Sequence, residues 1–180
     1  MSIQEPIKIS KIMTKKLETI GSSSTAQDVA IKMSKKQVSS ILVIDEKDGN
    51  PLGIVTEQDL SRKVCVNDKS SKDVLAVQIM SSSPLVTVDA ESSPSDAADL
   101  MLKNKIRHLL VVKTEPNQDE NGAKIKDDQD IVKPVGILTP MDFIRYNVTG
   151  TSDYDKEDDQ YDNILQKILE YYKNDFEFNG

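Results

Sequence analysis

Residues 53–59 read Gly-Ile-Val-Thr-Glu-Gln-Asp, and residues 136–142 repeat the pattern as Gly-Ile-Leu-Thr-Pro-Met-Asp. In each copy a short aliphatic run leads to a Thr, and an Asp follows three residues later. The aliphatic run predicts a buried β-strand, and Thr and Asp at this spacing are typical of the first turn of a helix. The sequence therefore predicts, twice in one chain, a strand that turns directly into a helix.

The repetition extends beyond this motif. Ile12-Met13-Thr14 recurs as Ile79-Met80-Ser81, and residues 37–44 recur as residues 105–112. Self-similarity over such a length indicates a repeated structural unit, and the wider spacing of the later blocks indicates an insertion in the second copy. We divide the chain into a first repeat at 7–67, a connector at 68–77, a second repeat at 78–147 with an insertion at 113–134, and a C-terminal region at 148–180.

Each repeat is predicted to follow the order strand, helix, strand, strand, helix. The first helices begin after Thr25 and Ser93, because each of these residues has an Asp three positions later, which is a capping-box spacing. Unbroken aliphatic runs such as residues 41–44 predict strands that are covered on both faces. A fragment of about 60 residues is marginally stable by itself. We therefore expect the two repeats to pack as one pseudo-symmetric α/β (α+β) module, followed by a C-terminal helix.

The charge distribution decides which ligands are compatible with the chain. The net charge of -7 disfavours a nucleic-acid partner, which requires a basic surface. Residues 151–180 carry -6 and residues 113–133 carry -2, so the remaining residues carry +1. The repeats are therefore nearly neutral, and the overall acidity does not exclude a small phosphate-bearing ligand.

Other ligand and location classes are excluded by composition. The longest apolar runs are much shorter than the roughly 18 residues of a membrane span, and residues 1–10 lack the apolar segment of a secretion signal. We therefore expect a cytoplasmic protein without a membrane partner. The single cysteine, Cys65, and the single histidine exclude a disulfide framework and metal sites rich in either residue. We expect no catalytic residues, no metal and no enzymatic activity.

The Thr-x-x-Asp pattern has two interpretations. It can be a helix N-cap without a ligand, since Thr25 with Asp28 and Ser93 with Asp96 have the same spacing where we expect no ligand. Alternatively, the helix start offers free backbone N–H groups to a phosphate, while the Asp accepts the two hydroxyl groups of a ribose. Spacing alone favours the cap, although the two roles are compatible.

The matched blocks together resemble a tandem pair of cystathionine beta-synthase (CBS) domains, a Bateman module, over about residues 7–147. The resemblance implies adenosine-containing ligands, AMP, ADP or ATP, in clefts between the two repeats, with S-adenosylmethionine or NAD(H) as alternatives. It implies no tightly bound cofactor, and Mg²⁺ only together with a nucleotide. It also implies a homodimer.

The resemblance also assigns roles to residues. It implies that Asp59 with Thr56, and Asp142 with Thr139, hold the ribose and lie near the phosphate. The adenine pocket would be lined by residues of the first strands and by aliphatic residues of the motif: Thr19, Ile20, Ile54, Thr87, Val88 and Ile137.

Basic residues before the second strand of a CBS repeat commonly reach phosphates, which indicates Arg107 and His108. The first repeat has Ser39 and Ser40 at these positions, so we expect the two clefts to bind phosphates unequally. The nucleotide whose phosphates Arg107 and His108 serve can be one whose ribose is held by the other repeat. The alternative for His108 is a half-buried side chain without a ligand. Arg62 and Arg145 follow the motif aspartates by three residues and are interpreted as partners in surface ion pairs.

Two regions lie outside the repeated pattern. The insertion contains Asn121-Gly122, a hairpin-turn signal, while Pro116 and Asp127-Asp128 disfavour regular pairing throughout. The C-terminal region predicts an amphipathic helix at 158–174, which packs either on its own module or on a second protein.

Two functions follow from these features. The first is a non-enzymatic sensor of adenine nucleotides whose conformational change is recognised by an unidentified partner protein. The alternative is a ligand-free dimerisation scaffold that recruits a partner through the C-terminal helix.

Overall fold

The computed structural model describes residues 6–82, 85–116 and 131–149. Its helices and strands follow in chain order: α1 Ile9–Ile12, β1 Thr19–Gly21, α2 Ala26–Lys36, β2 Ser40–Ile44, β3 Pro51–Thr56, α3 Glu57–Asp59 with a π-helical continuation Leu60–Cys65, α4 Ala76–Ile79, β4 Ser81–Ser82, β5 Thr87–Asp89, α5 Pro94–Asn104, β6 Leu109–Glu115, β7 Ile131–Leu138 and α6 Pro140–Thr149. The predicted order of strands and helices is confirmed in both repeats.

These elements form two compact units. One is drawn from residues 17–85 and the other from residues 1–16 together with 86–180. We call them the Asp59 unit and the Asp142 unit after the motif aspartate that each contains. The short Ile-Met-Thr block of the first repeat lies in the Asp142 unit, and the Ile-Met-Ser block of the second repeat lies in the Asp59 unit. Each block thus lies in the unit that contains the motif of the other repeat. We call the two blocks the exchanged Ile-Met-Thr block and the exchanged Ile-Met-Ser block.

The Asp59 unit is built on a four-stranded sheet in the order β1-β2-β3-β4. Strand β1 is parallel to β2, whereas β2, β3 and β4 are antiparallel in succession. Helices α2 and α4 pack on one face of this sheet. Their apolar residues form a buried core with alternate residues of β2 and β3: Ala26, Val29, Met33, Ile41, Val43, Val55, Val64, Val74, Ala76 and Ile79.

The Asp142 unit repeats this arrangement with a three-stranded sheet in the order β5-β6-β7. Strand β5 is parallel to β6, and β6 is antiparallel to β7. An isolated bridge between Thr14 and Ile137 extends the sheet at the position that β4 occupies in the other unit. The buried core contains α1 and α5 residues with alternate residues of the strands: Ile9, Ile12, Val88, Ala90, Ala97, Ala98, Met101, Leu109, Val111, Leu138 and Phe143.

The insertion begins with regular pairing, which corrects one expectation. The ladder between β6 and β7 continues to Glu115 opposite Ile131, so pairing is not disfavoured throughout. Lys133 and Glu115 also form a cross-strand ion pair at 2.8 Å. Polar strand residues with such a pair sustain a hairpin beyond the core. The Asn121-Gly122 turn lies outside the described residues, as does the predicted helix at 158–174.

In the part of the chain that is described, no helix is both long and apolar enough to cross a bilayer.

Candidate functional site

The Thr-x-x-Asp motif forms a complete capping box at the start of α3. The backbone N–H and the hydroxyl group of Thr56 both donate to Asp59 Oδ2, at 2.9 and 2.7 Å. In return the backbone N–H of Asp59 donates to Thr56 Oγ1 at 3.2 Å. These bonds satisfy amides that a helix start otherwise leaves without partners. The capping interpretation is therefore confirmed for the first repeat.

The second repeat has the same Thr-to-Asp contacts at the start of α6, while the backbone N–H of Asp142 donates to the carbonyl oxygen of Thr139 at 3.0 Å. Thr139 donates from its backbone N–H and its hydroxyl group to Asp142 Oδ2, at 2.7 and 2.8 Å. The predicted capping boxes at Thr25 with Asp28 and at Ser93 with Asp96 are also present. The Thr25 hydroxyl and backbone N–H hold the pKa of Asp28 below its usual value. At all four helix starts the Thr or Ser thus donates to the Asp three residues later.

Burial separates the two motif aspartates from the other two. Asp142 is 3% exposed and Asp59 is 9% exposed, whereas Asp28 and Asp96 are exposed to solvent. Burying a carboxylate is unfavourable unless it is paired or hydrogen-bonded. A cap does not require burial, as Asp28 and Asp96 show. The motif aspartates therefore have a property that their capping role does not explain.

The second carboxylate oxygen of Asp142 contacts the exchanged Ile-Met-Thr block. Thr14 donates its hydroxyl proton to Asp142 Oδ1 at 2.8 Å. The predicted pair with Arg145 is also present, with Nη1 at 3.8 Å from Oδ1 and an arginine side chain that is 69% exposed. At this length and exposure the ion pair contributes little, so the neutral hydroxyl of Thr14 is the main partner of Oδ1.

The corresponding oxygen of Asp59 has a charged partner instead. Lys63 Nζ lies 2.8 Å from Asp59 Oδ1, one helical turn further along the chain. The prediction that Arg62 pairs with Asp59 is wrong, because Lys63, at the i+4 position, is the ion-pair partner of the carboxylate. Lys63 also donates to the carbonyl oxygens of Ile79 and Met80, at 2.7 and 3.4 Å. The two motif aspartates thus have equivalent caps and different second partners.

A methionine of each exchanged block covers the motif glycine. A Cβ atom at Gly136 would lie 2.7 Å from Met13 Sδ and 2.8 Å from the carbonyl oxygen of Thr14. A Cβ atom at Gly53 would lie 2.6 Å from both Met80 Sδ and the carbonyl oxygen of Ser81. Such distances are too short for any side chain. The glycine and the methionine recur together in the sequence because they contact each other in each unit.

The predicted adenine-pocket residues fall on two different sheet faces. Thr19 is opposite Leu42, which is opposite Ile54, so all three side chains lie on the face away from the core helices. The row of Thr87, Leu110 and Ile137 is its equivalent in the Asp142 unit. These rows bring Thr19 together with Ile54, and Thr87 together with Ile137.

The structure does not bring Ile20 or Val88 to this face. The side chain of Val88 is part of the helix-facing core, and Ile20 packs against the equivalent core. Successive residues of a strand point to opposite faces, so neighbours such as Thr87 and Val88 cannot both line one pocket with their side chains. We therefore exclude the side chains of Ile20 and Val88 from the candidate site.

Arg107 and His108 are half-buried and directly precede β6. Leu109 pairs with Leu138, so continuing the register by one residue places His108 opposite Thr139. Ser40 is opposite Thr56 at the equivalent position of the Asp59 unit. The two sites thus differ in charge next to the capping threonine, as the sequence predicted.

Sequence reasoning missed Thr14 and Lys63. The recurrence of Ile-Met-Thr as Ile-Met-Ser was a signal for Thr14, but its contact with Asp142 joins residues far apart in the chain. Lys63 has no equivalent in the second repeat, where Tyr146 occupies its position. Within the described ranges, no group of three His, Cys, Asp or Glu side chains is arranged to hold a metal ion.

Comparison with known proteins identifies the family. A family model described as CBS domain matches residues 9–65 and 73–148. The chain therefore belongs to the CBS domain family. It is 31% identical over 139 residues to an uncharacterized protein of Methanopyrus kandleri, covering 77% of this chain and 62% of the relative. It is 35% identical over 91 residues to the mitochondrial CBS domain-containing protein CBSX3 of Arabidopsis thaliana, covering 49% and 44% of the two chains. The chain thus spans less than two thirds of these relatives.

Solved structures share the fold. An uncharacterized conserved protein of Pyrococcus horikoshii has a TM-score of 0.64 at 26% identity, covering 81% of this chain and 95% of that chain. The structure of CBSX2 in complex with AMP has a TM-score of 0.54 at 26% identity, covering 78% and 96%. CBS domain pairs related to this chain thus include one that binds AMP.

Proposed function

We propose that this protein is a non-enzymatic regulatory module that binds AMP, ADP or ATP at a motif aspartate and signals through a conformational change. The observation that carries the proposal is the burial of Asp59 and Asp142, compared with the exposure of Asp28 and Asp96, which cap helices at the same spacing. A buried carboxylate with acceptor capacity to spare is suited to the hydroxyl groups of a ribose. The AMP complex of CBSX2 supports this class of ligand.

The acceptor capacity of Asp142 fits a ribose. A carboxylate accepts about four hydrogen bonds, two on each oxygen. The Thr139 cap occupies both positions on Oδ2, and Thr14 occupies one on Oδ1. The other position on Oδ1, from which the exposed Arg145 guanidinium is 3.8 Å away, accepts a first ribose hydroxyl group. Rotation of the Thr14 hydroxyl group releases the position on Oδ1 that it occupies, so that a second ribose hydroxyl group can bond there. Thr14 can make this rotation because a hydroxyl group can accept as well as donate.

Phosphate and adenine have separate contacts in this proposal. Helix α6 begins at Pro140, which has no N–H, so the backbone N–H of Met141 and the positive end of the helix dipole favour an anion beside Asp142. Arg107 and His108 supply cationic or hydrogen-bonding groups for the phosphate. Adenine lies against the apolar sheet face that carries Ile137. In the other unit Thr19, Ile54, Thr56 and Asp59 occupy the equivalent positions.

The nucleotide acts by binding one conformation of the protein more tightly than another. A homodimer and an unidentified partner protein complete the proposed signalling function. Mg²⁺ enters only with a nucleotide, and no catalytic group takes part. S-adenosylmethionine and NAD(H) are the alternative ligands to be tested.

Thermal unfolding with candidate ligands tests the proposal. A ligand at 100 times its Kd stabilises the folded state by about 2.7 kcal/mol, which raises Tm by several degrees. We expect AMP, ADP or ATP to raise Tm, and 2′-deoxy-AMP to raise it less than AMP because it lacks one ribose hydroxyl group. Unchanged Tm with these nucleotides, S-adenosylmethionine and NADH would contradict the proposal and favour a ligand-free scaffold.

Replacing both phosphate-site residues tests the phosphate contacts. Arg107→Ala with His108→Ala is expected to weaken AMP binding and to leave adenosine binding unchanged. Lys103→Ala, an exposed change in the last turn of α5, is the matched control for charge. Unchanged AMP affinity by calorimetry in the double variant would exclude both residues from the phosphate site.

A further inference from the structure

We infer that Lys63 closes the Asp59 site, so that the protein binds one adenine nucleotide, at Asp142. The inference rests on the proposed function and concerns the number of sites. It follows from the different second partners of two aspartates that accept the same bonds from a capping threonine.

The ammonium group of Lys63 has three acceptors around it in the structure. It carries three donors and no acceptor of its own. The three donors are directed to Asp59 Oδ1 at 2.8 Å and to the carbonyl oxygens of Ile79 and Met80 at 2.7 and 3.4 Å. The ammonium group therefore connects the motif aspartate to the exchanged Ile-Met-Ser block. A ribose that approached Asp59 would have to displace a group held by three partners.

Thr14 presents a much smaller obstacle at Asp142. Its hydroxyl group is neutral, and it can turn its proton away from Oδ1 and accept a bond from the ligand. The ammonium group of Lys63 can do neither. Both groups bond to a carboxylate, but only the ammonium group adds the direct attraction of a full opposite charge, at 2.8 Å from Oδ1. A neutral ribose hydroxyl therefore competes with Thr14 on equal terms, but it competes poorly with Lys63.

The residues at the starts of β6 and β2, beside the two caps, independently favour the Asp142 site. Arg107 and His108 lie next to the Thr139 cap, whereas Ser39 and Ser40 lie next to the Thr56 cap. The Asp59 site thus has a cation where the ribose would bind and serines where the phosphate would bind. The Asp142 site has Arg107 and His108 on the phosphate side, and the cation beside its ribose position is the exposed Arg145 at 3.8 Å rather than a lysine at 2.8 Å, which fits a nucleotide monophosphate.

Calorimetric titration of AMP into four full-length variants tests the inference. The wild type is expected to bind one AMP per chain. Asp142→Asn should weaken binding at least about tenfold, and Asp59→Asn should leave affinity and stoichiometry unchanged. Lys63→Met removes the ammonium group and keeps an apolar stem, so a second AMP should bind. Arg62→Met is the matched control, since it removes a neighbouring exposed cation.

Each outcome has a definite meaning. Two AMP per wild-type chain, or loss of binding in Asp59→Asn but not in Asp142→Asn, would overturn the inference and leave the proposed function intact. A Lys63→Met variant with native circular dichroism and a single site would also overturn it. If Lys63→Met does not fold, the two aspartate variants decide the question alone. Absence of binding by the wild type would overturn the proposed function itself.

Discussion

Asp142 has one hydrogen-bond partner close to it in the chain and one far from it. The sequence predicted its capping partner, because Thr139 lies three residues away and capping is local. It could not predict Thr14, which is 128 residues away and reaches Asp142 through tertiary packing. Lys63 was missed for another reason: the residues at i+3 and i+4 both lie beside Asp59 on a helix, and the sequence does not choose between Arg62 and Lys63.

Replacing Thr14 tests its bond to Asp142. Thr14→Val keeps the side-chain shape but removes the donor, which leaves a buried carboxylate with one partner fewer. We expect the free energy of unfolding to fall by about 1–3 kcal/mol in denaturant titrations. Ser81→Ala is the matched control, because Ser81 occupies the equivalent position and is exposed. Equal stability of Thr14→Val and the wild type would show that the bond contributes nothing.

Asp28 predicts a pH dependence. The hydrogen bonds from Thr25 lower the pKa of Asp28 below its ordinary value of 3.8. A carboxyl group with a lowered folded-state pKa stabilises the fold above its unfolded-state pKa, and this contribution disappears as the pH falls through the folded-state value. Tm of the wild type should therefore decrease on acidification below about pH 4. Asp28→Asn should reduce this decrease, and identical pH profiles would contradict the assignment.

Among the elements, each exchanged block contacts the motif of the other repeat, which accounts for the recurrence of both patterns. Residues 12–14 contact the motif of the second repeat, and residues 79–81 contact the motif of the first. The sequence showed that the blocks recur in register but not that each contacts the other copy. Strand alternation also corrected the adenine pocket, since Thr19 and Ile20 were both assigned to it although their side chains point to opposite faces.

Adding a methyl group at the motif glycine tests the contact with methionine. Gly136→Ala should reduce the free energy of unfolding by about 1–3 kcal/mol, because Met13 and the backbone of Thr14 would have to move. Adding Met13→Ala should recover part of the loss, since the carbonyl oxygen of Thr14 remains. Gly49→Asn is the control, with a positive φ that Asn tolerates and open space around it. A fully stable Gly136→Ala would contradict the close approach.

At the scale of the whole molecule, the sequence predicted the α/β architecture and the order of elements in both repeats, because strand, cap and stripe patterns are local. The composition of the compact units was not predictable in the same way. Two similar Ile-Met blocks can each pack on either motif, and local patterns do not choose between them. The choice depends on packing that only the folded chain shows.

Removing residues 1–16 tests this composition. The truncation deletes α1, Met13 and Thr14 from the Asp142 unit and removes nothing from the Asp59 unit. Hydrogen exchange should therefore increase in residues 86–116 and 131–149, while residues 17–82 keep most of their protection. Increased exchange confined to residues 17–82 would contradict the exchanged arrangement.

In the proposed function the buried Asp142 has a nucleotide-binding role that a cap alone does not provide. Calorimetric titration of AMP into Asp142→Asn and Asp96→Asn tests it most directly, because both changes keep a cap oxygen and only Asp142 is buried. A hydrogen bond to a charged group contributes about 1.5–3 kcal/mol, so AMP affinity should fall at least about tenfold in Asp142→Asn. Affinity should be unchanged in Asp96→Asn. Equal AMP affinity of the two variants and the wild type would contradict the claim.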